Sequence, residues 1–430
     1  LPLGEGWDHR FFMSGDRALV FSQGDSGVIP LLESASRIMP NWNGPVTLVQ
    51  EVDLSNPAEM RVVRTLRIEG GYLSARAVDG IVRLVISSYP SELPFVYPSG
   101  PAAEDLALET NKRVIEQSTL EDWLPSYTLF AGEEVMEQGL VAGCDQTHRP
   151  AEFAGFDTLS VLTLDLGAGL DPAGAAAVIA DGETVYASTE RLYVATNVWV
   201  PAELIGDARL ATMEEDYSTA IHAFDITGDG AARYLASGSV DGHLLNQFSM
   251  DEFDGHLRVA TTDGSPWSAT NASESGISVL SIDGNSLVEV GRVGDLGHGE
   301  SIYSVRFVGP TGYVVTFRQT DPLFTFDLTD PFKPRIAGEI SAKDRNPDRP
   351  GQIVHILHMQ RSIPGKPAWH GVQHMCDNRT MRSFIARTLI WRKPTRRSVT
   401  ASAPCETVAS SAVQAAPTGK AANFPAGRCF

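Results

Sequence analysis

Cysteine is nearly missing from this sequence: there are four in 430 residues, and only Cys144 precedes residue 340. That is too few for a disulfide framework at this size. The first 340 residues cannot close a disulfide among themselves, which leaves the redox compartment open. No run approaches the ~18 consecutive apolar residues of a membrane-spanning helix, so that class is excluded. Positive charge is also scarce, with 34 Lys+Arg against 53 Asp+Glu and a net charge of -19. This argues against nucleic acid or an anionic membrane surface as partner of the whole molecule. No initiator methionine opens the chain and no basic-then-apolar leader precedes Asp8, so the sequence reads as a fragment or a processed product.

What is present is material for a folded core: 43% apolar and 20% charged residues exclude global disorder. The 39 glycines and 26 prolines favour many turns over long helices. The charge is uneven. Residues 341–430 hold 14 Lys+Arg against 4 Asp+Glu, whereas residues 1–340 hold 20 against 49. The end, from about Ser398, is rich in Ala, Ser, Thr and Pro without apolar periodicity and reads as poorly ordered. Two readings of this basic segment stand side by side. It folds back on the acidic body or binds an acidic partner, or the reading frame changed near residue 341.

Across residues 1–340 the dominant signal is period-two alternation in short runs bounded by Gly, Pro, Asn and Asp, which predicts strands and turns. Tyr303–Phe307 and Tyr313–Phe317, joined through Gly309-Pro310-Thr311-Gly312, predict a hairpin. Leu257–Thr262 and Leu192–Thr196 are further clear runs. Five times an apolar strand runs into an aspartate and a turn, at Asp53, Asp165, Asp225, Asp283 and Asp327. The first and last copies are the closest: Asp53-Leu54-Ser55-Asn56-Pro57 against Asp327-Leu328-Thr329-Asp330-Pro331, each followed by a basic residue (Arg61, Arg335) and another strand. An aspartate there can accept backbone N–H groups and hold the turn. The last three spacings, 60, 58 and 44 residues, bracket the ~40–50 residues of a four-stranded propeller blade. The first spacing, 112 residues, predicts an insertion over about 90–150, placed over one face of the wheel. Ala102–Ser118 is its helix-compatible part, and the proline-rich Tyr89–Gly100 cannot be a central strand.

The chemical motifs are weak. Gly24-Asp25-Ser26-Gly27 copies the nucleophile segment of chymotrypsin-like proteases, but only His9 lies upstream to serve as base, so a turn is the better reading. Asp251, Glu252 and Asp254 place three carboxylates in four residues, and Asp225-Ile226-Thr227-Gly228-Asp229-Gly230 forms a second acidic turn. Such turns can supply oxygen ligands to Ca²⁺, although neither has EF-hand spacing. Segment 246–254 is the first choice for a ligand site, with Asn246, Gln247, Asp251, Glu252 and Asp254 as its candidate residues, because it sets polar groups between strand ends. His355, His358, His370, His374 and Cys376 imitate metal-ligand spacing but sit in the basic segment without structural context. His222, His243, His256 and His298 are single histidines without evident partners, and no catalytic residue is assigned. Asn271-Ala272-Ser273 fits the glycosylation pattern and carries no weight.

The run Leu244–Gly255 with Leu257–Thr262 resembles the bacterial secreted β-propeller family distantly related to WD40 repeats. So do Ser301–Phe307, Tyr313–Phe317 with Asp321-Pro322-Leu323, Tyr72–Arg76, Leu93–Pro98 and Trp123-Leu124-Pro125. The likeness covers roughly residues 10–340 and departs after Gly338-Glu339-Ile340. It implies a propeller fold and a secreted or cell-envelope location, and it implies no reaction. The expected architecture is therefore all-β: a propeller of four-stranded blades over 1–340, incomplete at the C-terminus, with a partly helical insertion and six to eight blades in an intact relative. The expected function is a non-enzymatic binding or scaffold module for a protein, glycan or small ligand. The rival is an extracytoplasmic hydrolase or lyase, which would need at least two carboxylates, or a carboxylate and a histidine, converging on one cleft with perturbed pKa values.

Overall fold

The computed structural model describes residues 1, 3, 6–25, 44–90, 93–98, 100, 103–170, 172–199, 217–264, 273–317 and 322–340. The expectations placed on 341–430, on Ser26-Gly27, on Asn271-Ala272 and on the cluster His355, His358, His370, His374 and Cys376 lie outside these residues.

The strands form five consecutive four-stranded antiparallel units among the described residues. The first is β1 (Trp7–Ser14), β2 (Arg17–Asp25), β3 (Pro45–Asp53) and β4 (Arg61–Glu69). The second begins with β5 (Gly71–Val78) and β6 (Ile81–Ser88). It is then interrupted by α1 (Glu104–Gln117), β7 (Ser126–Ala131), β8 (Glu134–Leu140) and β9 (Thr147–His148), and resumes with β10 (Thr158–Asp165) and β11 (Pro172–Ile179). The third is β12 (Thr184–Ala187), β13 (Arg191–Trp199), β14 (Tyr217–Asp225) and β15 (Arg233–Asp241). In the fourth, a broken first strand, β16 (His243–Leu244) and β17 (Met250–Phe253), precedes β18 (His256–Asp263), β19 (Glu274–Asp283) and β20 (Ser286–Leu296). The fifth is β21 (Ser301–Val308), β22 (Thr311–Phe317), β23 (Leu323–Asp327) and β24 (Arg335–Ile340).

The first strands stand beside one another: β5 meets β12, β12 meets the turn Gln247–Ser249 ahead of β17, and that turn meets β21. They surround an axis, and each unit is a blade running outward from it. The fold is an all-β propeller of four-stranded blades with a partly helical insertion. Consecutive blades share an apolar layer, which explains why the central strands are buried on both sides. In β10, Leu162 and Leu164 join Leu66, Ile68 and Leu84 toward the first blade. Leu159 and Val161, of opposite parity, join Val178, Val194 and Phe224 toward the third. Comparable layers unite blades three and four around Ile221 and Val259, and blades four and five around Ile277 and Val314.

The strands of the insertion, expected over one face of the wheel, extend the outer edges of two blades. The hairpin β7–β8 adds to β4 of the first blade, and β9 pairs in parallel with β11 of the second. Added strands cover edge N–H and C=O groups that would otherwise be left unpaired.

All five repeat aspartates end the third strand of their blade. In four, Oδ1 accepts the backbone N–H two residues on: Ser55 to Asp53 at 3.0 Å, Gly167 to Asp165 at 2.7 Å, Thr227 to Asp225 at 2.9 Å and Thr329 to Asp327 at 3.1 Å. In three, Oδ2 also takes an arginine eight residues on: Arg61 at 3.2 Å, Arg233, and Arg335 at 2.7 Å. The Thr329 hydroxyl and Arg335 together hold the Asp327 carboxyl down to about 2. Asp283 departs from the pattern because β19 passes straight to β20 through Gly284-Asn285, with Gly284 at φ +61°.

Candidate functional site

The residues of the segment singled out in the sequence have different surroundings. Asn246 caps the turn, its Oδ1 accepting the Phe248 N–H at 2.9 Å. Asp251 and Glu252 are neighbours on β17, so their side chains leave opposite faces. Asp251 pairs with the buried Arg258, which lies between the rings of Phe253 and Phe307 at 5.0 and 4.9 Å. Glu252 pairs with Arg191 of the third blade and accepts the Ser188 hydroxyl at 2.7 Å. Asp254 occupies the tight turn to β18 at φ 50°. Gln247 alone points to the axis. Among the described residues, no three His, Cys, Asp or Glu side chains gather as a metal-ligating group.

The other acidic turn also has its oxygens engaged. Arg83, 2% exposed, donates to the carbonyls of Ile226 (3.1 Å), Gly228 (2.8 Å) and Gly230 (2.5 Å) and to the Thr163 hydroxyl. The cation held by these carbonyls is a guanidinium from the neighbouring blade. The device recurs. The second strand of each of the first four blades sends an arginine onto the next blade: Arg17 to the Gly167 carbonyl, Arg83 to the third blade, Arg191 to Glu252, and Arg258 to the Gly309 carbonyl at 2.6 Å. Beside two of these clamps lie open grooves. One, of about 590 Å³, is lined by Asp79, Arg83, Asp165 and Asp229; the other, of about 470 Å³, by Arg17, Glu51, Asp53 and Arg61.

Along the first strands, side chains of blades one, two, four and five and a main-chain carbonyl of blade three form a chain of contacts. Arg76 of β5 donates to Ser74 Oγ (2.5 Å) and the Ala75 carbonyl (3.0 Å), then across to the Val185 carbonyl of blade three (3.2 Å) and Gln247 Oε1 of blade four (2.7 Å). These partners are all neutral oxygens. Arg10 of β1 lies 4.7 Å over the Tyr72 ring and pairs with Asp8 at 2.7 Å. Arg306 of β21 lies 4.1 Å over the ring of Phe248, the residue after Gln247. Withdrawal from water depresses the pKa of Arg76 and Arg306, and the Arg10 charge adds to this at Arg76. Both stay protonated, since arginine begins so far above neutral pH. The arrangement is a cationic hub inside a strongly acidic molecule, suited to holding an anion. Arg76, Arg10 and Arg306 escaped the sequence reading because only the closure of the wheel brings positions 10, 76, 247 and 306 together. An arginine on three of the first strands, β1, β5 and β21, was the one available signal.

Among the described residues two carboxylates are raised above their ordinary range, Asp157 and Asp181, and neither lines the grooves. Desolvation is the main cause at each, and at Asp181 the Asp157 charge contributes. Asp157 accepts the Ser87 hydroxyl at 2.5 Å, and Asp181 Oδ1 accepts the Asp157 N–H at 3.2 Å. Gly155, at φ +118°, permits this approach, since a Cβ there would lie 2.0 Å from the Asp181 carboxylate. With a raised folded pKa, the native state binds more protons than the unfolded chain between the ordinary value and the raised one. Stability therefore falls as pH rises through that window. Asp157→Asn is expected to melt ~2 °C above wild type at pH 7, with the gap closing near pH 3; equal melting at pH 7 would contradict this.

A family model described as a beta propeller domain matches residues 1–342. An uncharacterised protein of Methanocaldococcus jannaschii is 26% identical over 353 residues, covering 72% of this chain and 53% of that protein. An uncharacterised protein of Archaeoglobus fulgidus is 41% identical over 150 residues, covering 32% of this chain and 23% of that protein. The chain spans about half, or less, of the length of these relatives. Among solved structures, the computationally designed Ika8 protein aligns over 78% of this chain and 88% of its own at 10% identity, with a TM-score of 0.21.

Proposed function

Because the chain belongs to the beta propeller domain family, we propose that it works as a binding module, taking a carboxylate- or phosphate-bearing ligand at the arginine hub on its axis. The observation that carries this reading is Arg76, whose guanidinium spans three blades and, among the described residues, meets only neutral oxygens. A ligand oxyanion would supply the charge-assisted hydrogen bonds these donors lack. The flanking acidic surface would keep polyanions away and leave the hub to small anions. Binding is favoured over catalysis because the raised carboxylates lie elsewhere and the acidic residues of 246–254 are engaged by arginines and turns. A secreted or cell-envelope location is part of the same proposal and rests on the resemblance alone.

The test is calorimetric titration of the full chain with citrate and with inorganic pyrophosphate. Binding of at least one is expected, weakened about tenfold or more in Arg76→Ala and in Arg306→Ala, which corresponds to losing one charge-assisted contact. No binding of either anion to the wild type, or equal binding by both variants, would reject the hub as the site.

A further inference from the structure

A second surface lies at the ends of β6, β10 and β11, where four aromatic side chains remain exposed: Tyr89 (42%), Tyr97 (66%), Phe153 (65%) and Phe156 (41%). They form two pairs, each with a member close to Asp157 and Asp181. The Phe153 and Phe156 rings meet edge to face at 4.9 Å. Tyr97 lies beside Tyr89, whose hydroxyl is pushed up to about 12 by desolvation, by Tyr97 and by the charges of Asp157 and Asp181. The Phe156 N–H in turn donates to Asp181. Tyr89 and the Phe156 main chain therefore lie near a pair of carboxylates, with Glu183 close enough to add its charge. Neither aspartate forms an ion pair with an arginine or lysine among the described residues, whereas Glu51, Asp225, Asp251 and Glu252 are each engaged by an arginine.

We infer that this patch docks a basic segment of a partner protein, an arginine or lysine side chain entering between the Asp157 and Asp181 carboxylates with its stem and charge against the aromatic faces. Aromatic faces attract guanidinium and ammonium groups, and partial desolvation strengthens the attraction. Scattered exposed apolar residues need no explanation, whereas a contiguous rimmed patch marks an interaction surface. Charge complementarity selects the partner: a cation would relieve the repulsion between the two carboxylates and offset their desolvation. Carboxylates that cost stability without a cation are also what a binding surface retains at the expense of the fold.

The experiment is fluorescence anisotropy of the full chain with a fluorescein-labelled Gly-Arg repeat octapeptide, each variant first shown to melt cooperatively. Relative to wild type, Asp157→Asn/Asp181→Asn is expected to weaken binding about tenfold. Phe153→Leu/Phe156→Leu should weaken it about threefold, a loss that a purely electrostatic attraction would not produce. Glu133→Gln/Glu134→Gln removes equal charge from the exposed β7–β8 turn and should leave affinity unchanged. The inference is overturned if the wild type does not bind the peptide or if the aspartate pair can be neutralised without loss. It is equally overturned if the Glu133/Glu134 control weakens binding as much.

Discussion

Arg83→Ala is expected to lower the stability of the molecule by about 3 kcal/mol, the cost of removing a buried charged donor and orphaning its acceptors. The guanidinium is 2% exposed and joins the second blade to three carbonyls of the third. Desolvation lowers its pKa, while the charges of Asp225 and Asp229 act in the opposite direction. Truncation leaves the Ile226, Gly228 and Gly230 carbonyls to water from the adjoining groove, which limits the loss without cancelling it. Arg83→Lys should recover little, because a single ammonium cannot reproduce the planar fork that reaches four acceptors. The contrast is Arg335→Ala. Its side chain is 75% exposed on an aspartate corner, where the loss should stay below about 1 kcal/mol. Urea unfolding with unchanged slope measures both. An Arg83→Ala midpoint no lower than that of Arg335→Ala would refute the clamp.

The second large effect concerns acid. His222, 1% exposed in β14, shares a hydrogen bond with Ser237 Oγ at 2.6 Å, and Ser237 in turn contacts the Tyr234 hydroxyl at 2.5 Å. Desolvation depresses its pKa from 6.5 to about 4. In the native state the ring is neutral down to that value, whereas in the unfolded chain it takes up a proton below about 6.5. The stability it contributes is present above pH 6.5 and is lost as pH falls toward about 4, to the extent of roughly 3 kcal/mol. His148 and His243, also depressed by desolvation, add to the loss. Raised Asp157 and Asp181 act in the opposite sense on acidification. His222→Asn, which can keep the Ser237 contact without titrating, should flatten the melting curve between pH 6.5 and 4. A wild type whose melting point is level across that interval would show that His222 does not govern it.

Local rules carried the fold further than they carried the sites. The aspartate corners could be found in the sequence because three of them are built entirely within a few residues: a carboxylate, an N–H two positions on, and an arginine eight positions on. Strand alternation survived for a similar reason, since each face of a blade meets another apolar layer. The insertion was visible as an irregular spacing, but its place on the blade edges depends on β7 finding β4, some sixty residues earlier in the chain. The partners of segment 246–254 were not legible, because Asp251 answers to Arg258 and Glu252 to Arg191, 61 residues away. The arginines themselves gave a signal that went unused. A charge inside an otherwise apolar strand, as in Ile81-Val82-Arg83-Leu84-Val85, must find a partner, and here the partner is the neighbouring blade.

The arginine clamps all point one way along the chain, each reaching from an earlier blade to a later one. During synthesis the amino-terminal blade emerges first, carrying donors whose acceptors have yet to be made. Every new blade then meets a waiting guanidinium and locks onto its predecessor, which favours assembly in the order of translation. Stalled ribosomal intermediates should accordingly gain protease resistance in steps, one blade at a time.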